Sequence, residues 1–214
     1  MANLIENTAA VLLAGGLGSR MRADGGGVDK PLRLLSGRTL LDHAVARVRP
    51  QVGAMVLNAN GDPARFAAFG FEIVADAVAD YPGPLAGILA GMRWAGARGF
   101  ADVLSVPTDT PFLPVDLVAR LDAARRAAGV TLACAGSGGW THPVVGLWPV
   151  ALADALEAAL RDGMRKIDRW KAQHGVATAE FAIADVDPFF NVNTPGELAQ
   201  AEVMVGRVQP AMPG

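Results

Sequence analysis

Leu13-Ala14-Gly15-Gly16-Leu17-Gly18-Ser19-Arg20 follows directly on an apolar run and sets glycines beside an arginine. Glycines let backbone N–H groups approach phosphate oxygens closely, and Arg20 can add a planar charged fork. No Gly-Lys-Ser/Thr closes the segment, so it is not a Walker A loop. Met21 stands where a third glycine would complete Gly16-x-Gly18, and no acid ends the second apolar run, so it is not a full dinucleotide fingerprint either. A tight turn between strand and helix is the plain alternative for these glycines. The stretch from Arg20 to Arg38 carries Arg20, Arg22, Lys30, Arg33 and Arg38 against Asp24 and Asp29, in a chain whose net charge is −2. Within it, Ala23-Asp24-Gly25-Gly26-Gly27 is too rich in glycine for a helix and reads as a mobile loop. A basic loop beside a glycine cradle suits a polyphosphate. Farther along, Pro107-Thr108-Asp109-Thr110-Pro111 stiffens a carboxylate between prolines. Asp109 is the best candidate for a metal, since Mg²⁺ takes oxygen ligands and keeps several waters. A turn or helix cap is the competing role for that aspartate.

These groups need elements to position them. Ala9–Leu13, Ala54–Leu57, Phe71–Val74 and Asp102–Val106 are short, nearly continuous apolar runs, the pattern of strands covered on both faces. Between them lie amphipathic stretches: Leu40 to Val48, a second from Pro84, and a third from about Pro114 with Leu117, Val118 and Leu121 inward. Strand alternating with helix implies βαβ units and a mostly parallel sheet, an α/β fold. After Val130 the pattern loosens into a hairpin-like excursion, 130–135 and 143–148 around Gly136–Gly139. Helices near 151–160 and 165–173, a strand near 178–183 and a last helix from about Pro195 complete the reading. With no long linker and about 150 residues per domain as the prior, residues 1–214 are expected to form one domain, its two-proline tail 209–214 frayed.

In open parallel sheets, ligands bind past the carboxyl ends of the strands. The expected strand ends deliver Asn58-Ala59-Asn60, Asp76 and Asp109, and later Asp185, Asp187 and Asn191-Val192-Asn193. Composition narrows the class. A charge of −2 offers no footprint for nucleic acid. The single cysteine, Cys134, excludes an internal disulfide and a multi-Cys zinc site, and reads as a small buried hydrophobe. No apolar run is long enough for a membrane span, and the N-terminus has no basic region before Glu6, so a cytoplasmic enzyme is expected. His43, His174 and the four tryptophans read as packing or surface residues, while His142 stands beside the Gly-rich turn.

Leu13-Ala14-Gly15-Gly16-x3-Arg20-Met21 with Asp29-Lys30 closely resembles the nucleotidyltransferases that transfer NMP from an NTP. Further segments narrow the match: Pro50-Gln51-Val52, Asn58-Ala59-Asn60, Tyr81-Pro82-Gly83-Pro84-Leu85-Ala86-Gly87, Pro107-x-Asp109-x-Pro111, His142-Pro143 and Asn191-Val192-Asn193-Thr194-Pro195. In this order, from about Val11 to Glu202, they resemble the molybdenum cofactor guanylyltransferases (the MobA family). The resemblance implies a three-layer, Rossmann-like nucleotidyltransferase fold. It also implies GMP transfer from Mg-GTP to molybdopterin-bound molybdenum cofactor, with release of pyrophosphate. Leu13, Ala14, Gly15, Gly16, Lys30, Asn58, Asp76 and Asp109 then correspond to GTP-binding positions, Asp109 also to the Mg²⁺ ligand, and Asn191 and Asn193 to the pterin side, where His142, beside Pro143, is a candidate contact against a packing or surface role. A recipient molybdoenzyme or chaperone is the further partner it implies.

The sequence departs from the family pattern in a longer loop between Gly16 and Lys30, in Thr108 where a cysteine is usual, and in Gly163-Met164-Arg165-Lys166, which lacks an acid. The acceptor is already a phosphate monoester, so charge neutralisation and positioning carry most of the expected catalysis. Arg20 and Lys30 would hold the β- and γ-phosphates, and Asp109 the metal. Asp76 would accept from guanine N1–H and N2–H. A cytidylyltransferase, or one acting on a sugar or alditol phosphate, is the nearest alternative. A nucleotide-binding regulatory module and a dinucleotide-dependent oxidoreductase lie farther off.

Overall fold

The computed structural model describes residues 3–14, 29–78 and 83–207. After a single helical turn, α1 (Leu4–Asn7), the chain enters β1 (Thr8–Leu13). A small ribbon, β2 (Leu34–Leu35) and β3 (Arg38–Thr39), leads into α2 (Leu40–Val48). A reciprocal cap starts this helix: the Asp42 amide donates to Thr39 Oγ1 at 3.0 Å, and Asp42 Oδ2 accepts from the Thr39 amide at 3.1 Å. Then follow β4 (Ala54–Asn58), β5 (Ile73–Val74), α3 (Pro84–Gly96), β6 (Asp102–Pro107) and α4 (Leu117–Ala128). The last part of the chain forms β7 (Leu132–Ser137), β8 (Trp140–Pro149), α5 (Ala153–Arg161), α6 (Ile167–His174), β9 (Val176–Phe181) and α7 (Pro195–Val205).

Among the described residues, the strands of the main sheet run β5-β4-β1-β6-β8-β7-β9. β1 pairs in parallel with β4 and β6, β4 with β5, and β7 with β9; β8 alone runs antiparallel, to β6 and β7. The apolar runs have a simple cause. Ala10 and Leu12 face one core with Leu41 and Val48 of α2 and Leu117 and Leu121 of α4. Their neighbours Ala9 and Val11 face the other, with Leu85, Ile88 and Met92 of α3, Leu156 of α5 and Trp170 of α6. Both faces are covered, which gives the expected three layers.

Helix α3 lies very close to β1. A Cβ on Gly91 would stand 2.5 Å from Val11 Cβ and 2.7 Å from its Cγ1. Neither backbone can retreat without loosening the core, so Gly91→Ala is expected to destabilise by about 1–3 kcal/mol, read as a lower denaturant midpoint.

Four expectations change on the structure. The expected excursion after Val130 is part of the main sheet: β8 inserts between β6 and β7, turning at Gly138 and Gly139, both with positive φ (55° and 81°). Trp148 on β8 explains the insertion, because it is buried and its indole N–H donates to Ser105 Oγ of β6 at 2.7 Å. The helix expected from Pro114 begins at Leu117 instead, because Gln51 reaches across: its Nε2 donates to the Pro114 carbonyl at 2.8 Å and its Oε1 accepts from the Val118 amide at 3.0 Å. The strand expected over 71–74 is only Ile73–Val74, and that expected over 178–183 is Val176–Phe181. Cys134 is buried as expected. Among the described residues, no helix is long and apolar enough to cross a membrane.

Candidate active site

The register of the central strands puts Leu13 opposite both Asn58 and Pro107, so three loops leave the sheet side by side. Two polar clusters form there. In the first, Asn58 is 2% exposed and its Nδ2 donates to Asp76 Oδ1 at 3.0 Å and to the Val74 carbonyl at 3.2 Å. Asn60 Nδ2 donates to Asp76 Oδ2 at 2.6 Å, and Asn60 Oδ1 accepts from the Asp76 amide at 2.9 Å. Two amides therefore clamp one carboxylate. The Ala14 amide donates to the Asn58 carbonyl at 2.9 Å, which ties the end of β1 to this cluster.

Helix α3 closes on the clamp from behind. A Cβ on Gly87 would collide with Asn58 Oδ1 and stand 2.8 Å from its Cγ and 2.9 Å from Leu13 Cδ2. Gly87→Ala is therefore expected to push Asn58 off Asp76 and to destabilise by about 1–3 kcal/mol, through the forced contact and the lost hydrogen bond to a charged group. A lower denaturant midpoint checks it.

The second cluster joins residues distant in sequence. Lys30 Nζ makes an ion pair with Asp109 Oδ2 and donates to Asn193 Oδ1 at 2.6 Å. Asp109 is further fixed because the Val192 amide donates to its carbonyl at 2.9 Å. Glu197, at the first turn of α7, accepts from the Asn193 amide at 2.7 Å and the Thr194 amide at 2.8 Å. Asn191 sits one step back, its Oδ1 accepting from Thr110 Oγ1 at 2.7 Å. Thr108, at the departure from the family pattern, uses its hydroxyl on the Leu13 carbonyl at 3.2 Å.

The structure thus brings together Leu13, Ala14, Lys30, Asn58, Asp76, Asp109, Asn191 and Asn193 at one sheet edge. Gly15, Gly16, Arg20 and the loop from Arg22 to Val28 lie outside the described residues, as do Tyr81 and Pro82. Of the other oxygen donors past the strand ends, Asp185 is exposed and Asp187 is engaged with Ser137, whereas Asn193 shares an ammonium with Asp109. Among the described residues, no group of three His, Cys, Asp or Glu could hold a metal. Mg²⁺ needs fewer, since it keeps several waters. His43 and His174 pack as expected, the one against the Leu35 carbonyl at 2.9 Å, the other 4.3 Å from the Trp170 ring.

Arg65 escaped the sequence reading. Its guanidinium donates to Asp29 Oδ2 at 2.8 Å, to the Asn60 carbonyl at 2.6 Å and to the Asp62 carbonyl at 3.0 Å. It ties the segment that carries Lys30 to the loop that carries Asn60. No local pattern announces such a tie. Glu197 was more accessible, since Thr194-Pro-Gly-Glu197 has the spacing of a capping box.

A family model described as a MobA-like NTP transferase domain matches residues 10–177. A molybdenum cofactor guanylyltransferase from Bradyrhizobium sp. (strain ORS 278) is 53% identical over 195 residues, covering 90% of each chain. The chain belongs to the molybdenum cofactor guanylyltransferase family. A second member, from Nitrobacter hamburgensis, is 50% identical and covers 92% of this chain and 94% of its own. In fold, the chain resembles the crystal structure of molybdopterin-guanine dinucleotide biosynthesis protein A from Archaeoglobus fulgidus. That match has a TM-score of 0.68 at 24% identity and covers 94% of this chain and 99% of the other. As a member of this guanylyltransferase family the chain is a nucleotidyltransferase, and its three-layer fold is the one expected. The domain model ends at residue 177, so Asn191 and Asn193 enter the site from beyond it.

Proposed function

We propose that this chain transfers GMP from GTP to molybdopterin-bound molybdenum cofactor and releases pyrophosphate. The observation that carries the reading is the meeting of Lys30, Asp109 and Asn193 beside the Asn58–Asp76–Asn60 clamp, in a chain half identical to named guanylyltransferases. The acceptor's phosphate oxygen forms a bond to the α-phosphorus of GTP, and the bond from that phosphorus to the bridging oxygen of pyrophosphate breaks. The attacking oxygen is already anionic, so the chain needs to position and neutralise more than to remove a proton.

Lys30 has three N–H donors, two of them directed at Asp109 and Asn193, which leaves one for a phosphate oxygen. The Gly15–Gly16 amides and Arg20 are assigned to the β- and γ-phosphates. At the other cluster, each oxygen of Asp76 spends one acceptor site on an asparagine amide. A carboxylate offers about four such sites, so two stay open for guanine N1–H and N2–H. Asp109 and Asn193 already present two hard oxygens to one cation, the Lys30 ammonium, and this donor set fits Mg²⁺. When bound, Mg²⁺ would supply charge neutralisation at the phosphates.

The test is Mg²⁺-dependent pyrophosphate release with purified molybdenum cofactor, run with GTP and with CTP. Release with GTP alone supports the reading. Release with CTP alone overturns the base assignment and moves the chain to cytidylyl transfer.

A further inference from the structure

Beyond the two clusters, a third set of polar side chains has no part in the reaction described so far. Ser137, at the end of β7, is 2% exposed, and its hydroxyl donates to Asp187 Oδ1 at 2.9 Å. A hydroxyl has one proton, so toward His142 Nε2, 2.8 Å away, the same oxygen must accept. His142 therefore carries its proton on Nε2. Burial holds the imidazole pKa below its usual value, against the opposing pull of Asp187 and Glu180, so the ring is neutral at pH 7. A neutral ring protonated on Nε2 has a lone pair on Nδ1, and no described residue donates to it.

The ring is also fixed in orientation. It lies 4.5 Å from the Phe189 ring at 32°, and Phe189 is wedged edge-on against Phe181 at 5.2 Å. Asp187 Oδ1 accepts a second bond from the Phe189 amide at 3.0 Å, which locks the turn that supplies both residues. Such an arrangement prepares one hydrogen-bond acceptor in advance. Two residues earlier on β8, and so on the same face of the strand, Trp140 is 78% exposed. A fixed acceptor beside an open indole face suits a flat heterocycle that carries N–H donors.

The position relates this pair to the reaction. The strap from Asp187 to Asn193 starts at the Ser137–His142 cluster and ends on Lys30. Its six steps span at most about 21 Å when extended, and it turns on the way, with the Phe190 amide donating to the Asp187 carbonyl at 3.1 Å.

We propose that His142 and Trp140 form the subsite for the acceptor's pterin ring, with His142 Nδ1 accepting from a ring N–H and Trp140 stacking on the ring. This rests on the proposed function for the identity of the acceptor, and assigns residues to it that the nucleotide site does not use. His142→Gln sets an amide N–H near the Nε2 position and keeps the bond to Ser137, but removes the Nδ1 acceptor. His142→Asn does the opposite, setting an amide oxygen near Nδ1 and losing the bond to Ser137. The two variants thus separate a contact with substrate from a purely internal role.

The experiment is a binding titration of purified molybdenum cofactor without nucleotide, followed by tryptophan fluorescence, with the KM for GTP measured in parallel. His142→Gln should weaken cofactor binding about tenfold, the cost of one lost hydrogen bond, and His142→Asn should recover part of it. Trp140→Ala should weaken it by about tenfold or more, the range of a lost stacking contact. GTP KM should stay unchanged in all three. Wild-type affinity in His142→Gln with loss in His142→Asn would show an internal role and overturn the subsite. A wild-type chain that binds the cofactor but transfers CMP would overturn the guanylyl reading alone, leaving the subsite to stand on the variants. A wild-type chain that does not bind the cofactor would overturn both.

Discussion

Lys30→Ala is expected to lower turnover by about 10²–10³, the usual cost of removing a preorganised charge aimed at a developing one. The ammonium is held between Asp109 and Asn193, and both partners are fixed by other bonds: Asp109 through the Val192 amide and Asn193 through Glu197. The charge thus reaches the site already oriented. Stability should change little. The ion pair is partly exposed, with side chains 17% and 20% accessible, and such pairs contribute about 0–1 kcal/mol. Lys30→Arg should not restore the rate, because a planar guanidinium cannot occupy the place of a compact ammonium between those two oxygens. Single-turnover pyrophosphate release and a melting curve on the same samples check the prediction. Near-normal turnover in Lys30→Ala would remove its catalytic assignment.

The second large effect is on specificity. Asp76→Asn is expected to reduce the preference for GTP over CTP by about 10², since each donor left without an acceptor costs roughly 1–3 kcal/mol. An amide at position 76 has only one oxygen, whereas Asn58 and Asn60 both donate to the native carboxylate. One of those donors would meet an NH₂ group, and guanine would meet the same mismatch. Cytosine, with a donor beside an acceptor, tolerates an amide better. The ratio of kcat/KM for the two nucleotides measures this directly, and an unchanged ratio would take Asp76 out of base recognition.

Several parts of the fold are legible because their causes are local. The run Ala9–Leu13 is apolar at every position and Asp102–Val106 at all but Asp102 and Ser105, and both faces of their strands are in fact covered. The helix over Leu40–Val48 carries its own capping pair and apolar stripe, and its bounds agree with the expectation. The rule that ligands meet parallel strands at their carboxyl ends points to Asn58, Asp76 and Asp109, and the structure gathers them at that edge.

Other parts depend on where the chain returns. A Gly-rich hairpin reads the same whether it projects from a sheet or inserts into it; the buried Trp148 and its bond to Ser105 decide for insertion. The helix start at Leu117 is set by Gln51, distant in sequence, not by the nearby proline. Lys30 meets Asp109 across 79 residues and Asn193 across 163, and Arg65 meets Asp29 across 36. The amino-acid sequence by itself determines most of the strands and helices and which polar residues stand near their ends. Periodicity and capping act within a few residues. Only the tertiary structure decides which ends meet, that Asn193 shares the cation of Asp109 and that Ser137 sets the tautomer of His142, because those contacts arise from packing distant segments against one sheet.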